Sequence, residues 1–274
     1  MSQLRGMIDL GTRTLLEFRG PDAVRFLNGQ VTQDVTRVVD RMTSLPSCVT
    51  DAKGRLQFRV TITCGPEGGL WVTGPAEWAE TLEARLTRYL IADDVEVCDR
   101  SSHYSLVHFP DMKVEFPSGS VLRESNRFGV PGMDRWVPTG QLLDGPVMAD
   151  DAVEDLRIAH GVPRWGFELR VGMLPPEALL DVTDISYHKG CYVGQEVISR
   201  IKSAGKVNKR LTRFSLDEKL VISPCLLENG AGEITSVSPL AHEGVRYALG
   251  FVKRGATELY VKAADGVAHP LVVR

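Results

Sequence analysis

Residues 12–29 read TRTLLEFRGPDAVRFLNG, and this stretch sets the frame for the rest. Residues 12–19 read as a strand. Gly20-Pro21-Asp22 then opens a short helix, with proline in its first turn, and Asn28-Gly29 closes it. Downstream, residues 44–50 and 55–63 are two strand-like runs around Asp51-Ala52-Lys53-Gly54, a hairpin signal. Residues 75–91 predict a helix: it starts at Pro75, and Trp78, Leu82, Leu86 and Leu90 recur every four residues. Residues 94–98 and 103–109 return to strand texture. The order strand, helix, strand, strand, helix, strand is that of a ferredoxin-like βαββαβ unit within an α+β fold.

Residues 110–147 are rich in Pro and Gly and carry no assignment. Residues 151–160 predict a helix that stops at Gly161-Val162-Pro163, and another helix starts near Gly194. Beyond residue 205 the texture changes to short runs at 210–216, 220–226, 233–238, 245–252 and 258–262. Such spacing predicts a small antiparallel β-barrel. The boundary therefore falls near Ser203-Ala204-Gly205, dividing the chain into residues 1–205, expected as two intertwined subdomains, and 206–274.

Composition narrows the function classes. The 274 residues are 43% apolar and 24% charged, an ordinary globular balance. A net charge of −3 lacks the basic surplus with which proteins neutralise phosphates, so direct nucleic-acid binding is disfavoured. Arg200, Lys202, Lys206, Lys209 and Arg210 form a local basic cluster, the usual mark of a solvated linker. Arg5 and Asp9 break any secretory apolar run, and no stretch reaches the roughly 18 apolar residues of a membrane span. A cytoplasmic location is the expectation. The five cysteines, Cys48, Cys64, Cys98, Cys191 and Cys225, are odd in number and widely spaced, without a CxxC. A disulfide framework and a resident metal site are not expected.

The strongest local feature is His188-Lys189-Gly190-Cys191-Tyr192-Val193-Gly194-Gln195-Glu196. Two glycines flank a cysteine and a tyrosine just before a helix. Glycine permits positive φ or the close approach of a ligand. A helix N-terminus and the Lys189 ammonium both favour a thiolate at Cys191. The plainer reading is a small buried hydrophobe, the commonest state of a free cysteine.

Lys189-Gly190-Cys191-Tyr192-x-Gly194-Gln195-Glu196 resembles the K-G-C-Y-x-G-Q-E motif of the YgfZ family, a motif also carried by that family's mitochondrial iron–sulfur assembly relative. Phe26–Val35 (FLNGQVTQDV), Asp51–Arg55 (DAKGR), Arg157–Pro163 with Gly166 and Glu168, and Leu174–Glu177 (LPPE) resemble further family segments. The resemblance covers about residues 10–205 and extends weakly to Ala248–Val252. The family is related to the glycine-cleavage T-protein aminomethyltransferase. It implies a folate-binding region capped by a C-terminal β-domain, tetrahydrofolate or a one-carbon derivative as cofactor, and no metal of its own. It also implies support for the assembly, repair or activity of iron–sulfur enzymes, including tRNA-modifying ones, with those enzymes or cluster-assembly proteins as partners.

On this resemblance, Glu168 or else Glu177 meets the N–H edge of a pterin, as a carboxylate does through paired hydrogen bonds. Lys189, Arg157 and Arg200 are candidates for the carboxylate tail, Trp165 and Phe128 for stacking, and Tyr192 and Gln195 complete the cofactor set. Cys191, with Lys189 beside it, is the functional thiol. One departure matters. Where the aminomethyltransferases carry paired aspartates, this chain has Gln57 and Phe58, neither able to act as a general base. Folate-dependent aminomethyl transfer is therefore the alternative reading.

Overall fold

A computed structural model describes residues 6–39, 41–110, 120–205, 207–264 and 266–274. The chain forms two compact units, Met1–Met148 with Asp181–Ser199, and Ala149–Leu180 with Arg200–Arg274.

The first unit contains β1 (Ile8–Thr12), β2 (Thr14–Arg19), α1 (Ala23–Gln30), β3 (Ser44–Thr50), β4 (Leu56–Cys64), β5 (Leu70–Gly74), α2 (Ala79–Thr87), β6 (Glu96–Asp99), β7 (Tyr104–Pro110), β8 (Val121–Ser125) and β9 (Gly132–Pro138). One antiparallel sheet has the order β3-β4-β5-β2-β6 and a second has β1-β7-β9-β8. The simple βαββαβ reading is corrected here. Leu70–Gly74 is a fully buried strand in the middle of the first sheet, β3 is an added edge, and residues 104–110 join the second sheet. After Gly65-Pro66-Glu67-Gly68-Gly69, the three apolar residues Leu70-Trp71-Val72 are too few to declare a central strand. The helix expected over 75–91 is tighter, Ala79–Thr87 after a 3₁₀ turn, yet Leu82 and Leu86 are its buried stripe as the spacing requires.

Leu15 and Trp71 of the first sheet pack on Leu106 and Trp136 of the second. The indoles of Trp71 and Trp136 meet edge to face, centroids 5.5 Å apart, a favoured aromatic geometry. Charges buried beside this layer are paired. Glu17 accepts from Trp71 Nε1 at 3.1 Å, Arg100 Nε at 3.0 Å and Arg19 Nη2 at 3.1 Å. Asp134 accepts from Arg127 Nη2 at 2.7 Å and lies 2.8 Å from His108 Nδ1. Burial alone raises both carboxyls. Hydrogen bonds from Arg19, Trp71 and Arg100 outweigh it at Glu17, and Arg127 and His108 outweigh it at Asp134, so both titrate below their ordinary values. A carboxylate depressed in the fold stabilises fully above the unfolded carboxylate range of about 4, and that contribution is lost as pH falls below it. The urea midpoint is expected to hold between about pH 7 and about pH 5 and to fall below about pH 4. Glu17→Gln should flatten part of that acid limb, and an unchanged limb would remove Glu17 from the account.

The second unit contains α3 (Asp150–Ala159), and α4 (Leu180–Thr183) and α5 (Gln195–Ala204) each cross from one unit to the other. Then follow β10 (Lys209–Asp217), β11 (Cys225–Leu226), β12 (Gly232–His242), β13 (Val245–Lys253), β14 (Tyr260–Lys262), β15 (Ala268–Pro270) and β16 (Val272–Val273). The expected barrel is not closed. Among the described residues the strands form an open sheet of order β11-β12-β13-β10-β16 and a separate β14-β15 pair. Both edge strands are only two residues long, and a barrel needs continuous pairing around its circumference. The core of this sheet gathers Phe214, Ile234, Ala248 and Val261. Helix α3 lies against β12 and β13.

Candidate functional site

Three segments that stand far apart in the sequence meet in the first unit. Helix α1 ends at Gln30, just beyond the expected close at Asn28-Gly29, and the last carbonyls of a helix lack partners within it. Lys189 Nζ fills that need, donating to the carbonyls of Asn28, Val31 (2.8 Å) and Gln33 (2.9 Å). An ammonium has three N–H bonds, and all three are used. Two residues beyond Cys191, Val193 N donates to Gly29 O at 3.2 Å and Val193 O accepts from Thr50 Oγ1 at 2.6 Å. Gly194, at φ +88, packs on the hairpin: a Cβ there would lie 2.4 Å from Asp51 O and 2.9 Å from Gly54 Cα. FLNGQVTQD, DAKGR and KGCYVGQE are thus one constellation.

Cys191 sits between those two anchors. Of the five cysteines it is the exposed one, while Cys48 and Cys64 are buried, and burial pushes the Cys48 thiol well up. Burial also pulls the Lys189 ammonium down to about 7, with Asp34 opposing. The three hydrogen bonds from its Nζ make Lys189 an anchor of the loop. Tyr192 is buried with Ile185 and Ile198. Its hydroxyl has no partner among the described residues, and burial, with Tyr187 and Cys48 adding, raises its pKa. Gln195 begins α5, its backbone N–H donating to Tyr192 O at 3.2 Å.

Nearby, Asp184 is fully buried and bound by Arg59, Nε to Oδ2 at 2.7 Å and Nη2 to Oδ1 at 3.2 Å. Its backbone carbonyl accepts from Thr32 Oγ1 at 2.7 Å. The two positions in place of the aspartate pair are structural. Gln57 Oε1 accepts from Arg85 Nε at 2.6 Å, and the Phe58 ring meets Trp78 edge on at 5.1 Å.

Glu168 and Arg157 lie in the second unit, bound to each other. Glu168 is wholly buried. Oε2 accepts from Arg157 Nη1 and from Arg164 N, each at 3.0 Å, and Oε1 accepts from Thr235 Oγ1 at 2.8 Å and Ser236 Oγ at 2.6 Å. A carboxylate offers about four acceptor positions, and four donors fill them. Arg157 is equally committed. Its Nε and Nη2 donate to Glu154, Nη1 also to Val162 O at 3.2 Å, and Nη2 also to Ser236 Oγ at 2.8 Å. The pterin edge expected at Glu168 meets a carboxylate saturated by the chain's own donors.

Glu177 Oε2 accepts from Leu174 N at 3.2 Å and closes its own turn. Trp165, half-buried, belongs to the second unit, whereas Phe128 packs on His108 in the first. In the basic cluster, Lys209 pairs with Glu233 at 3.1 Å and covers Phe251; Lys206 lies outside the described residues. Among the described residues no three His, Cys, Asp or Glu side chains gather as a metal site.

Compared with solved structures, the chain superposes on the glycine cleavage system aminomethyltransferase T from Bartonella henselae with a TM-score of 0.78, covering 98% of this chain and 84% of that one at 17% identity. It has the aminomethyltransferase fold. No family model matches. Among curated proteins the chain is similar to mitochondrial proteins named iron–sulfur cluster assembly factor IBA57 homologues. It is 28% identical to that of Neurospora crassa over 85% of this chain and 57% of the relative. For Phaeosphaeria nodorum the values are 29%, 75% and 54%, and for Dictyostelium discoideum 23%, 81% and 65%. The chain thus spans 54–65% of the length of these relatives. Their mitochondrial designation overturns the cytoplasmic expectation. No helix among the described residues is long and apolar enough to cross a membrane.

Two groups at the site escape a reading of the sequence, Arg85 and Arg59. Each is a single charge within an ordinary helix or strand, and only tertiary packing brings it to the constellation.

Proposed function

We propose that this protein is an accessory factor in the assembly or upkeep of iron–sulfur proteins and that Cys191 is its point of chemical contact. The observation that carries the reading is the Cys191 loop itself: an exposed thiol held between Lys189 and Val193, each bonded to the α1 end or the hairpin. The similarity to relatives named as iron–sulfur cluster assembly factors supports it. Thiolate sulfur is a soft donor suited to iron–sulfur clusters, and a cluster carried by a partner, as cargo, is what such a thiol would meet. Client enzymes, tRNA-modifying ones included, and cluster-assembly proteins are the partners in this reading.

Cys191→Ser is expected to keep the fold, because the side chain is exposed and surface changes usually shift stability by within about 0.5 kcal/mol. It is expected not to restore the activity of a [4Fe–4S] enzyme in cells that lack the protein. Restoration to the wild-type level would sink the thiol role.

Reduced-folate binding is the finer part of the proposal and is supported by the shared aminomethyltransferase fold. Glu168 and Arg157, with every hydrogen-bonding position filled, do not fit as its ligands, and no step is routed through folate. Calorimetric titration with 5-formyltetrahydrofolate tests this part: saturable heat supports it, and none from folded protein removes it. Gln57 and Phe58 supply no general base, so aminomethyl transfer is not the reading preferred.

A further inference from the structure

The geometry points to Arg85 as a positioning residue for the Cys191 loop, acting through the base of the Asp51–Gly54 hairpin. Arg85 stands on α2, whose buried face is Leu82 and Leu86. Its guanidinium reaches three other elements at once. Nε donates to Gln57 Oε1 at the start of β4 (2.6 Å), Nη1 to Gln30 Oε1 at the end of α1 (3.1 Å), and Nη2 to Thr50 O at the end of β3 (2.6 Å). The end of α1 and the β3–β4 hairpin are the two segments against which the loop is built. Thr50, fixed through its carbonyl by Arg85, uses its hydroxyl to hold Val193 O. Gly29, next to Gln30, accepts from Val193 N.

All three acceptors are uncharged, and among the described residues Arg85 makes no ion pair. Burial lowers its pKa, Tyr89 and Asp51 oppose that, and Arg88 adds to it. A planar fork with five donors can join three elements, which a lysine's point charge cannot do in the same plane. The arrangement gives Gln57 a task of its own: a neutral amide oxygen accepts from Arg85 where the resembling enzymes carry acid. This inference rests on the reading that the Cys191 loop is the working part. Its test is made on the isolated 274-residue chain and does not depend on that reading.

Amide hydrogen exchange at Val193 reports the loop, and exchange at Val72, in the middle of the first sheet, reports global opening. Arg85→Gln is expected to speed exchange at Val193 roughly tenfold, in line with the loss of a charged hydrogen bond, and to leave Val72 unchanged. Thr50→Val is expected to do the same. The double variant should exchange no faster than the faster single one, because both act along one path. Exchange at Val193 that stays at the wild-type rate, that rises in step with Val72, or that multiplies in the double variant would overturn the assignment. Should Arg85→Gln fail to fold, Arg85→Lys, which keeps the charge and loses the fork, takes its place with the same expected direction.

Discussion

Glu168→Ala is expected to destabilise the protein by about 3–5 kcal/mol, the usual effect of removing one partner from a buried ion pair. The side chain is wholly buried, and its loss strands four donors: Arg157 Nη1, Arg164 N, Thr235 Oγ1 and Ser236 Oγ. Thr235 has a second acceptor in Leu249 O at 3.1 Å, and Arg157 keeps Glu154. Neither relieves the N–H of Arg157 that points at the missing oxygen. Glu168→Gln keeps the volume but turns one acceptor into a donor facing other donors, so about half the loss is expected. Joint replacement by apolar residues, Glu168→Leu with Arg157→Met, should recover much of it, since a buried pair is often worth little more than good packing. Urea unfolding of the four proteins decides the matter. A loss below about 1 kcal/mol in Glu168→Ala would mean that the carboxylate is not needed by the fold and stands available to a ligand. With the expected loss, a weakened folate titration in that variant would report damage to the second unit and not a missing contact.

The ease with which parts of this molecule are read follows from how local their causes are. The stop of helix α3 is legible because Gly161 follows it with φ +72 and Pro163 comes two residues later. The hairpin at Asp51 is legible because Asp51 Oδ1 accepts from Lys53 N and Arg55 N, each at 2.9 Å, within its own turn. Strands β8 and β9 are not legible. Their runs, VLRES and GMDRWVP, carry Arg123, Asp134 and Arg135 within the pattern. Asp134 is buried only because Arg127 and His108 come to it. The C-terminal strands announce themselves as short runs, but whether a sheet closes depends on its edges, and β11 and β16 are pairs of residues that no pattern marks. At the site, the motif identifies the loop and not its supports. Lys189 looks catalytic beside a cysteine, and only the carbonyls of Asn28, Val31 and Gln33 show it to be an anchor. Glu168 looks like a free acid after Gly-Phe because its four donors come from residues 157, 164, 235 and 236.

Gly190 and Gly194 lie on either side of Cys191 in the sequence, and the structure separates them sharply. A Cβ on Gly190 meets nothing within 4 Å, so Gly190→Ala is expected to shift stability by less than about 0.5 kcal/mol. Gly194 holds φ +88, where an L side chain costs about 1–2 kcal/mol. Its Cβ would also press on Asp51 O and Gly54 Cα, both backbone atoms that cannot rotate away, and overpacking of this kind costs about 1–3 kcal/mol. Gly194→Ala is therefore expected to lose about 2–5 kcal/mol, or to displace the hairpin from the loop. Gly54, at φ +68 with Gly194 O and Ile198 at 3.2 Å from its own would-be Cβ, is the other half of the contact, and Gly54→Ala should approach the same loss. Thermal unfolding of the three variants separates the cases. Equal losses at 190 and 194 would mean that the loop fails through lost flexibility. A loss confined to 194 and 54 means that the two backbones must touch, and that Cys191 is presented by a rigid support.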